Sequence, residues 1–547
     1  CIRDRYIMNR MRFMFDNDTI NKMSPWNYVN ADRIQLGQKN QQYWNILGLS
    51  VLDYFDLYKK FTYVRQESYK LNYIAKVELG EQKLDNPYET FKDFYTKDYQ
   101  RFVEYNIQDV ELVDRLEDKM KLIELCLTMA YDYKVNYTDV YSQVRCWDTI
   151  IYNHLLTKNI IIPPREDQIK DSQYEGAYVK DPQLGLHNWI VSFDLNSLYP
   201  HLIMQYNISP EMFVGVEPKA VGVENFLEEK LNLKWAKDRN VAIAPNGAMF
   251  KRDKQGFLPE LMEKMYTERV VYKKKAIEAK KEFQKTKDPI YSNEISRCHN
   301  IQMAKKISLN SAYGAIGNQY FRYFDVKQAE AITLGGQLSI RWVERDVNRF
   351  MNKLLGTDNK NYVVASDTDS IYLKLDTLVE KVCKGKSTKQ IVEFLNKAAE
   401  DKIQKVIDDS YQNLAHYVNA YQQKMIMKRE AIANKGIWVA KKRYMMNVFD
   451  EEGVQYDIPK LKIMGVEAVK SSTPEVCRGK IKDAIRVIMN DSEDALIKFV
   501  NDFKEVFKTL SPEEVAFPRS CNNVNRYVDS NSIYKKGTPI HVKGALI

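Results

Sequence analysis

Two strand-like stretches, "WIVSFDLN" at 189–196 and "YVVASDTDSIYLKL" at 362–375, stand on either side of a long helical block from about 258 to 318. A sheet that holds both strands must accommodate that block as an insertion. The block divides into "LPELMEKMYTERVVYKKKAIEAKKEFQKTKD" and "SRCHNIQMAKKISLNSAYGAIGN", and "PIYSN" reads as the connection. The pattern is a helical hairpin set into a strand-bearing domain, so the expected class is α/β and multidomain.

Both strand-like stretches carry acid. On a continuous strand, Asp367 and Asp369 would share a face while Thr368 turned away. Asp, Thr and Ser also favour tight turns, so the local sequence leaves a hairpin turn equally open. If the two anions share a patch, a hard divalent cation would offset their repulsion, and a third carboxylate has to come from elsewhere. Asp194 is the candidate: it ends the first strand where the chain turns, a rigid mount for a ligand. Taken alone, it would equally be read as a helix N-cap.

The rest of the chain sets bounds. Residues 43–60 pass from a strand-like to an amphipathic pattern, and 97–131 reads as one long helix. "IIIPP" at 160–164 marks a boundary. "GIWVAKKRYMMNVF" reads as strand, and a mostly helical part follows from about 474. A net charge of +9 is compatible with a polyanionic partner without being diagnostic. The seven cysteines include no CxxC pair, which suits free thiols in a reducing compartment. No apolar run reaches the roughly 18 residues of a membrane span, and no signal peptide is evident, so a soluble intracellular protein with no membrane partner is expected. The start at "CIRDR", compatible with a cloning scar, and the apolar, strand-like end "HVKGALI" suggest a fragment. "KGKSTK" is not a P-loop, because Glu380 stands where that pattern needs glycine.

In order along the chain, "DLNSLYP" (194–200), "KISLNSAYG" (306–314) and "SDTDS" (366–370) closely resemble motifs A, B and C of the family B DNA polymerases. "WDTIIYN", "QYNISPE", "MKREAIA", "KKRYMMNVFD" and "PKLKIMGVEAVKSSTP" are most similar to the replicative members from T-even-type tailed phages. The resemblance implies a right-hand polymerase of palm, fingers and thumb, preceded by a partial ribonuclease H-like 3'-5' exonuclease domain. On that reading 1–124 is the partial exonuclease and 125–165 a connecting segment. Palm follows at 166–255, fingers at 256–318, the second part of the palm at 319–480, and a truncated thumb at 481–547.

The same resemblance implies site roles. Asp194 and Asp369, with the Leu195 carbonyl, would hold two Mg2+ ions that Mn2+ can replace; Asp369 would be indispensable, Asp367 supporting, and Thr368 more tolerant of substitution. Ser197, Leu198, Tyr199, Arg269, Lys273, Lys306, Asn310, Tyr313 and Gly314 would bind the nucleotide, with Tyr199 as the sugar gate and Gly314 allowing close approach of the base pair. Arg269 and Lys273 share a helix face, as do Lys306 and Asn310. Tyr174 and Gly176 of "YEGA", Lys442 and Tyr444 two apart on a strand, and Lys470 would contact DNA. Tyr105 and Asp109 fit the exonuclease YxxxD motif, and Asp109 would be a metal ligand there. The other acids of that site belong before Tyr6 and are not found, so no editing is expected of this chain. Asp491 and Glu493 form a DxE that lies far downstream.

Expected partners are primer-template DNA, deoxynucleoside triphosphates and, for the full-length enzyme, a sliding clamp whose binding tail is missing here. The cytoplasm of an infected bacterial host is the expected location. Ala365 and Ser366 stand where the family usually has Tyr-Gly, and Asn196 fills a variable position of motif A. A catalytically inactive polymerase-like nucleic-acid-binding protein is the rival class. A protein-primed polymerase would need palm insertions for which the gap from Asn318 to Asp367 leaves little room.

Overall fold

The strand that ends in Asp194 lies inside a six-stranded antiparallel sheet. The strands are β1 (Gly185–Leu195), β2 (Val363–Asp367), β3 (Ser370–Lys374), β4 (Met427–Ala440), β5 (Arg443–Glu451) and β6 (Val454–Met464). Their spatial order is β6-β5-β4-β1-β3-β2, so β1 sits between β4 and β3 although long stretches of chain separate them. The computed structural model describes residues 2–36, 39–62, 66–166, 169–170, 173–470, 473–516, 521, 524–529 and 532–547. Cys1 and residues 471–472 of the "GVEAVKSSTP" stretch lie outside them.

Ile190, Val191, Phe193 and Leu195 of β1 and Val363, Val364 and Ala365 of β2 are all buried, which explains near-continuous apolar runs where a half-exposed strand would alternate. In chain order the main helices are α1 (Tyr99–Met120), α2 (Leu122–Tyr133), α3 (Gln143–Leu156), α4 (Leu198–Tyr206), α5 (Phe257–Thr286), α6 (Pro289–Ile316), α7 (Val326–Leu355), α8 (Gln404–Tyr417), α9 (Glu475–Asn490) and α10 (Glu493–Thr509). α7 packs against α4 and α8. Gly335 and Gly336 permit the close approach to α4: a Cβ on either would stand 3.3–3.4 Å from Tyr206 or Leu198.

α5 and α6 form the inserted hairpin. The connection is shorter than the sequence suggests, because "PIYSN" begins α6: Asp288 caps it by accepting from the Ile290 N–H, and Pro289 takes the first turn, where its missing N–H costs nothing. The 97–131 stretch is likewise two helices, since Lys121 adopts φ 54° and breaks α1 from α2. "HVKGALI" lies within a short helix, Ile540–Leu546, and its terminal residue rather than a strand. Asp491 and Glu493 fall at the junction of α9 and α10.

The base of the α5/α6 hairpin is fastened to the N-terminal helices. Tyr133 Oη donates to the Ala304 carbonyl at 2.8 Å and Trp147 Nε1 to Ser311 Oγ at 3.1 Å. Lys305 bridges Asp132 of α2 at 2.7 Å and Glu268 of α5 at 2.6 Å. Arg322 forks onto Asp148 through Nε at 2.8 Å and Nη2 at 3.1 Å. Six cysteines among the described residues are free, and no described helix is long and apolar enough to cross a membrane.

Candidate active site

β1 delivers Asp194 to the tip of the β2–β3 hairpin. Asp194 pairs in register with Ser370, and the Leu195 N–H donates to the Asp369 carbonyl at 2.8 Å. Asp367 and Ser370 are the last paired residues of the hairpin, so Thr368 and Asp369 form its turn. The strand alternative for "SDTDS" therefore fails at Asp369, and the turn alternative holds.

Thr368 carries the conformational cost. It sits at φ 57°, unusual for a β-branched residue, and the Asp369 N–H closes back onto the Asp367 carbonyl at 2.6 Å. Its N–H donates to the Tyr178 carbonyl at 3.0 Å, and its hydroxyl to Asp367 Oδ1 at 3.0 Å. Rather than turning away, Thr368 holds the turn together. The acids differ in their partners: Asp369 acts on Asp194, while Asp367 is paired with Lys442 at 3.0 Å and adds its charge to Asp369.

Burial pushes the Asp194 carboxyl up to about 7, helped by the charges of Asp369 and Glu430 and opposed by Lys462. Burial also pushes Asp369 up to about 6 against its own backbone hydrogen bond, with Asp367 and Glu430 adding and Lys442 opposing. Two half-buried carboxylates that resist ionising together are the donor set a hard divalent cation fits. Among the described residues no three Asp, Glu, His or Cys side chains gather closely enough to cage a metal alone. Such an ion would keep part of its shell for backbone, water or substrate.

Glu430 is the acidic neighbour that sequence reading missed. Across β1 and β4, Ser192 pairs with Ala431 but Phe193 with Arg429, so Glu430 is the extra residue of a β-bulge. The bulge aims it at Ser192 Oγ, 3.1 Å away, and at Lys462 Nζ, 2.6 Å away. Its signal was the unbroken charge triplet in "MKREAIA", which an alternating strand does not explain.

"KKRY" departs from a continuous strand. Lys441 and Lys442 form the β4–β5 turn, with Lys442 at φ 60°, and Tyr444 lies in β5. The two still converge on the β2–β3 hairpin. Lys442 meets Asp367, and Tyr444 Oη lies 2.7 Å from Tyr372 Oη. Trp438 stacks on Tyr444 at 5.4 Å.

On the other flank, Tyr199 and Tyr313 pack with ring centroids 4.7 Å apart, and Tyr313 Oη donates to Tyr174 Oη at 3.4 Å. Motif A, motif B and "YEGA" thus meet in one aromatic group. The close-packed glycine is Gly317, whose added Cβ would lie 2.4 Å from Tyr174 Oη, whereas Gly314 is exposed with Gln143 as its nearest neighbour. The Gly176 carbonyl accepts from Gln337 Nε2 at 2.7 Å. Burial, then the Asp369 charge, raises the Tyr199 phenol above its usual range, so it stays neutral.

Arg269 of α5 donates to Ser197 Oγ at 3.4 Å, which brings it to the motif A turn with Leu198 buried behind. Lys273 is exposed one turn further along α5. On α6, Lys306 is half-buried and Asn310 exposed. Lys470 pairs with Glu467 at 3.1 Å. In the N-terminal part, Asp109 is buried and paired with Lys83 at 2.8 Å, and the same ammonium lies 4.6 Å from the Tyr105 ring centre. "KGKSTK" starts a helix instead of cradling phosphate: Ser387 and Gln390 form a capping box.

An antiparallel sheet with paired acids at a strand end and a hairpin turn, joined to a cationic two-helix insertion, makes this a mixed α/β chain. The family model for DNA polymerase family B matches residues 135–537, and the protein belongs to that family. It is 34% identical to the DNA-directed DNA polymerase of Escherichia phage RB69 over 99% of this chain and 65% of that protein. The DNA-directed DNA polymerase of Enterobacteria phage T4 is 32% identical, with the same 99% and 65% covered. DNA polymerase 1 of Pyrococcus abyssi (strain GE5 / Orsay) is 26% identical over 77% of this chain and 46% of its own length. The chain thus spans about two thirds, 65%, of the phage relatives' length.

Proposed function

We propose that this chain is the polymerising part of a DNA-directed DNA polymerase, adding deoxynucleotides to a primer 3' end on a DNA template. The observation that carries the proposal is the meeting of Asp194 and Asp369 through the Leu195–Asp369 bond, each carboxyl raised by burial and like charge. The six-stranded sheet is the palm, α5 and α6 the fingers, and the helices from Glu475 onward part of the thumb. The N-terminal part, with Tyr105 and Asp109, belongs to an exonuclease domain.

Asp194, Asp369 and the Leu195 carbonyl would hold two Mg2+ ions, for which Mn2+ can substitute. Bound there, such ions supply activation of a hydroxyl and charge neutralisation on a triphosphate. The chain's own residues do the rest. Arg269, Lys273 and Lys306 neutralise and orient the triphosphate from the α5/α6 side, where Asn310 also faces outward. Ser197 and Leu198 shape the turn below it. Tyr199 packs against the sugar, and Tyr313 and Gly314 border the new base pair. Lys442, Lys470, Tyr444, Tyr174 and Gly176 line the path of primer and template. The full-length protein would also bind a sliding clamp and act in the infected bacterial cell.

Primer extension with Mg2+ on a primed DNA template, with Asp369→Asn as control, tests the proposal. Template-dependent extension by the parent protein supports it. A folded parent protein that binds the duplex at low salt without extending it indicates instead an inactive nucleic-acid-binding relative.

Lys442→Ala should weaken primer-template binding to a similar degree on every sequence and reduce the slope of log affinity against log salt by about 1. Lys442 is largely exposed beside the hairpin, so the substitution removes a backbone contact without opening the core. Anisotropy titrations at several salt concentrations read both quantities. An unchanged slope would remove Lys442 from the DNA path.

A further inference from the structure

His201 is a buried imidazole for which the reading above has no role. It lies on α4, 2% exposed, with Nδ1 3.0 Å from the Ser197 carbonyl. The same carbonyl accepts the His201 backbone N–H at 3.2 Å, so one residue occupies both of its lone pairs. Ser197 itself sits at φ 47° and ψ 59°, a left-handed conformation that a serine adopts at a cost, and it has no side-chain capping bond. Its hydroxyl is therefore left to face Arg269 Nη1, 3.4 Å away.

The imidazole also touches the helix that carries that arginine. Tyr266 of α5 packs edge-on to His201, with centroids 4.5 Å apart at 84°, and Arg269 is three residues further on, on the same face. His201 therefore joins the Ser197 turn to the helix face presenting Arg269. A carbonyl partner needs a donor, so the Nδ1–H form is the one that fits. Burial favours the neutral ring against the Ser197 hydrogen bond, and the nearby charges of Lys424 and Arg269 add to it.

We propose that His201 is a positioning residue: its Nδ1–H locks the left-handed Ser197 turn so that Ser197 and Arg269 together present one preformed seat for the phosphates of the incoming nucleotide. This rests on the polymerase reading, with Arg269 as a phosphate ligand. His201 touches neither substrate nor metal on this account. Its loss should weaken nucleotide binding and leave the chemical step largely intact.

The test separates this role from packing. His201→Leu keeps much of the volume and removes the donor, whereas His201→Asn keeps an N–H near the Nδ1 position. The first readout is equilibrium binding of dATP to enzyme on a dideoxy-terminated primer opposite template T, which needs no chemistry. The second is the KM and kcat of single-nucleotide extension. His201→Leu should weaken dATP binding and raise KM about five- to tenfold, the size of one lost hydrogen bond, with kcat within about threefold. His201→Asn should recover most of the loss.

A folded His201→Leu protein with parental dATP binding overturns the inference. So does His201→Asn failing as completely as His201→Leu, which would mark a packing role. Parental enzyme that binds dATP on the terminated duplex but never extends a free 3' end would instead overturn the catalytic reading, and the binding comparison would still decide the role of His201.

Discussion

Asp369→Asn is expected to lower primer extension by about a thousandfold or more, roughly 4 kcal/mol of barrier, while primer-template affinity stays within a few-fold of the parent. Asn preserves the size of the side chain and both backbone bonds that fix the turn, the N–H to Asp367 and the carbonyl to Leu195. What disappears is an anion that burial and neighbouring acids already disfavour, and that a bound cation would have to restore. Removing that charge relieves repulsion, so Tm should not fall. Asp194→Asn should behave alike. Asp367→Asn should cost only about tenfold, because Asp367 faces Lys442 across 3.0 Å and sits outside the Asp194–Asp369 pair. Single-turnover extension alongside DNA binding measures the contrast. Equal losses for Asp367 and Asp369 would refute the division of roles drawn from the turn.

Tyr199→Ala should raise ribonucleotide use relative to deoxyribonucleotide by about a hundredfold, roughly 2.7 kcal/mol of lost discrimination. The ring is held by Tyr313 at 4.7 Å and by the close approach of α7, where a Cβ on Gly336 would come within 3.6 Å of it. A ring so braced cannot swing aside for an extra hydroxyl, which is what a steric gate requires. Tyr199→Phe should discriminate like the parent, because the ring blocks and the phenol oxygen does not. Competition between a ribonucleotide and its deoxy counterpart reads the ratio. Unchanged discrimination in Tyr199→Ala would assign the gate elsewhere.

Much of this candidate site was legible in the sequence because its acids and cations sit on elements that local rules describe. "WIVSFDL" is a buried strand by its apolar run, and an acid at its end is visible without a fold. α5 and α6 announce themselves by helical period, which puts Arg269 and Lys273 on one face. Local rules could not decide "SDTDS", whose residues suit a strand or a turn. The decision came from the pairing of Asp367 with Ser370 and from Tyr178, a contact across the chain. "KKRY" failed similarly: two lysines at a hairpin turn look like any other strand residues until β4 and β5 are paired. Glu430 was hidden because a bulge is a mismatch between two strands, and one strand alone does not contain it.

The sequence by itself determined the family to which the chain belongs and named the candidate site residues, because side-chain type, helical period and motif order are local properties. Tertiary structure decided which of those residues meet. It set Asp369 against Asp194 and Asp367 against Lys442, joined Tyr174 to Tyr313, and put His201 under Ser197. The physical reason is that charge repulsion, burial and hydrogen bonding act through distances between segments far apart in the chain. Those distances are fixed only when β1 is sandwiched between β3 and β4.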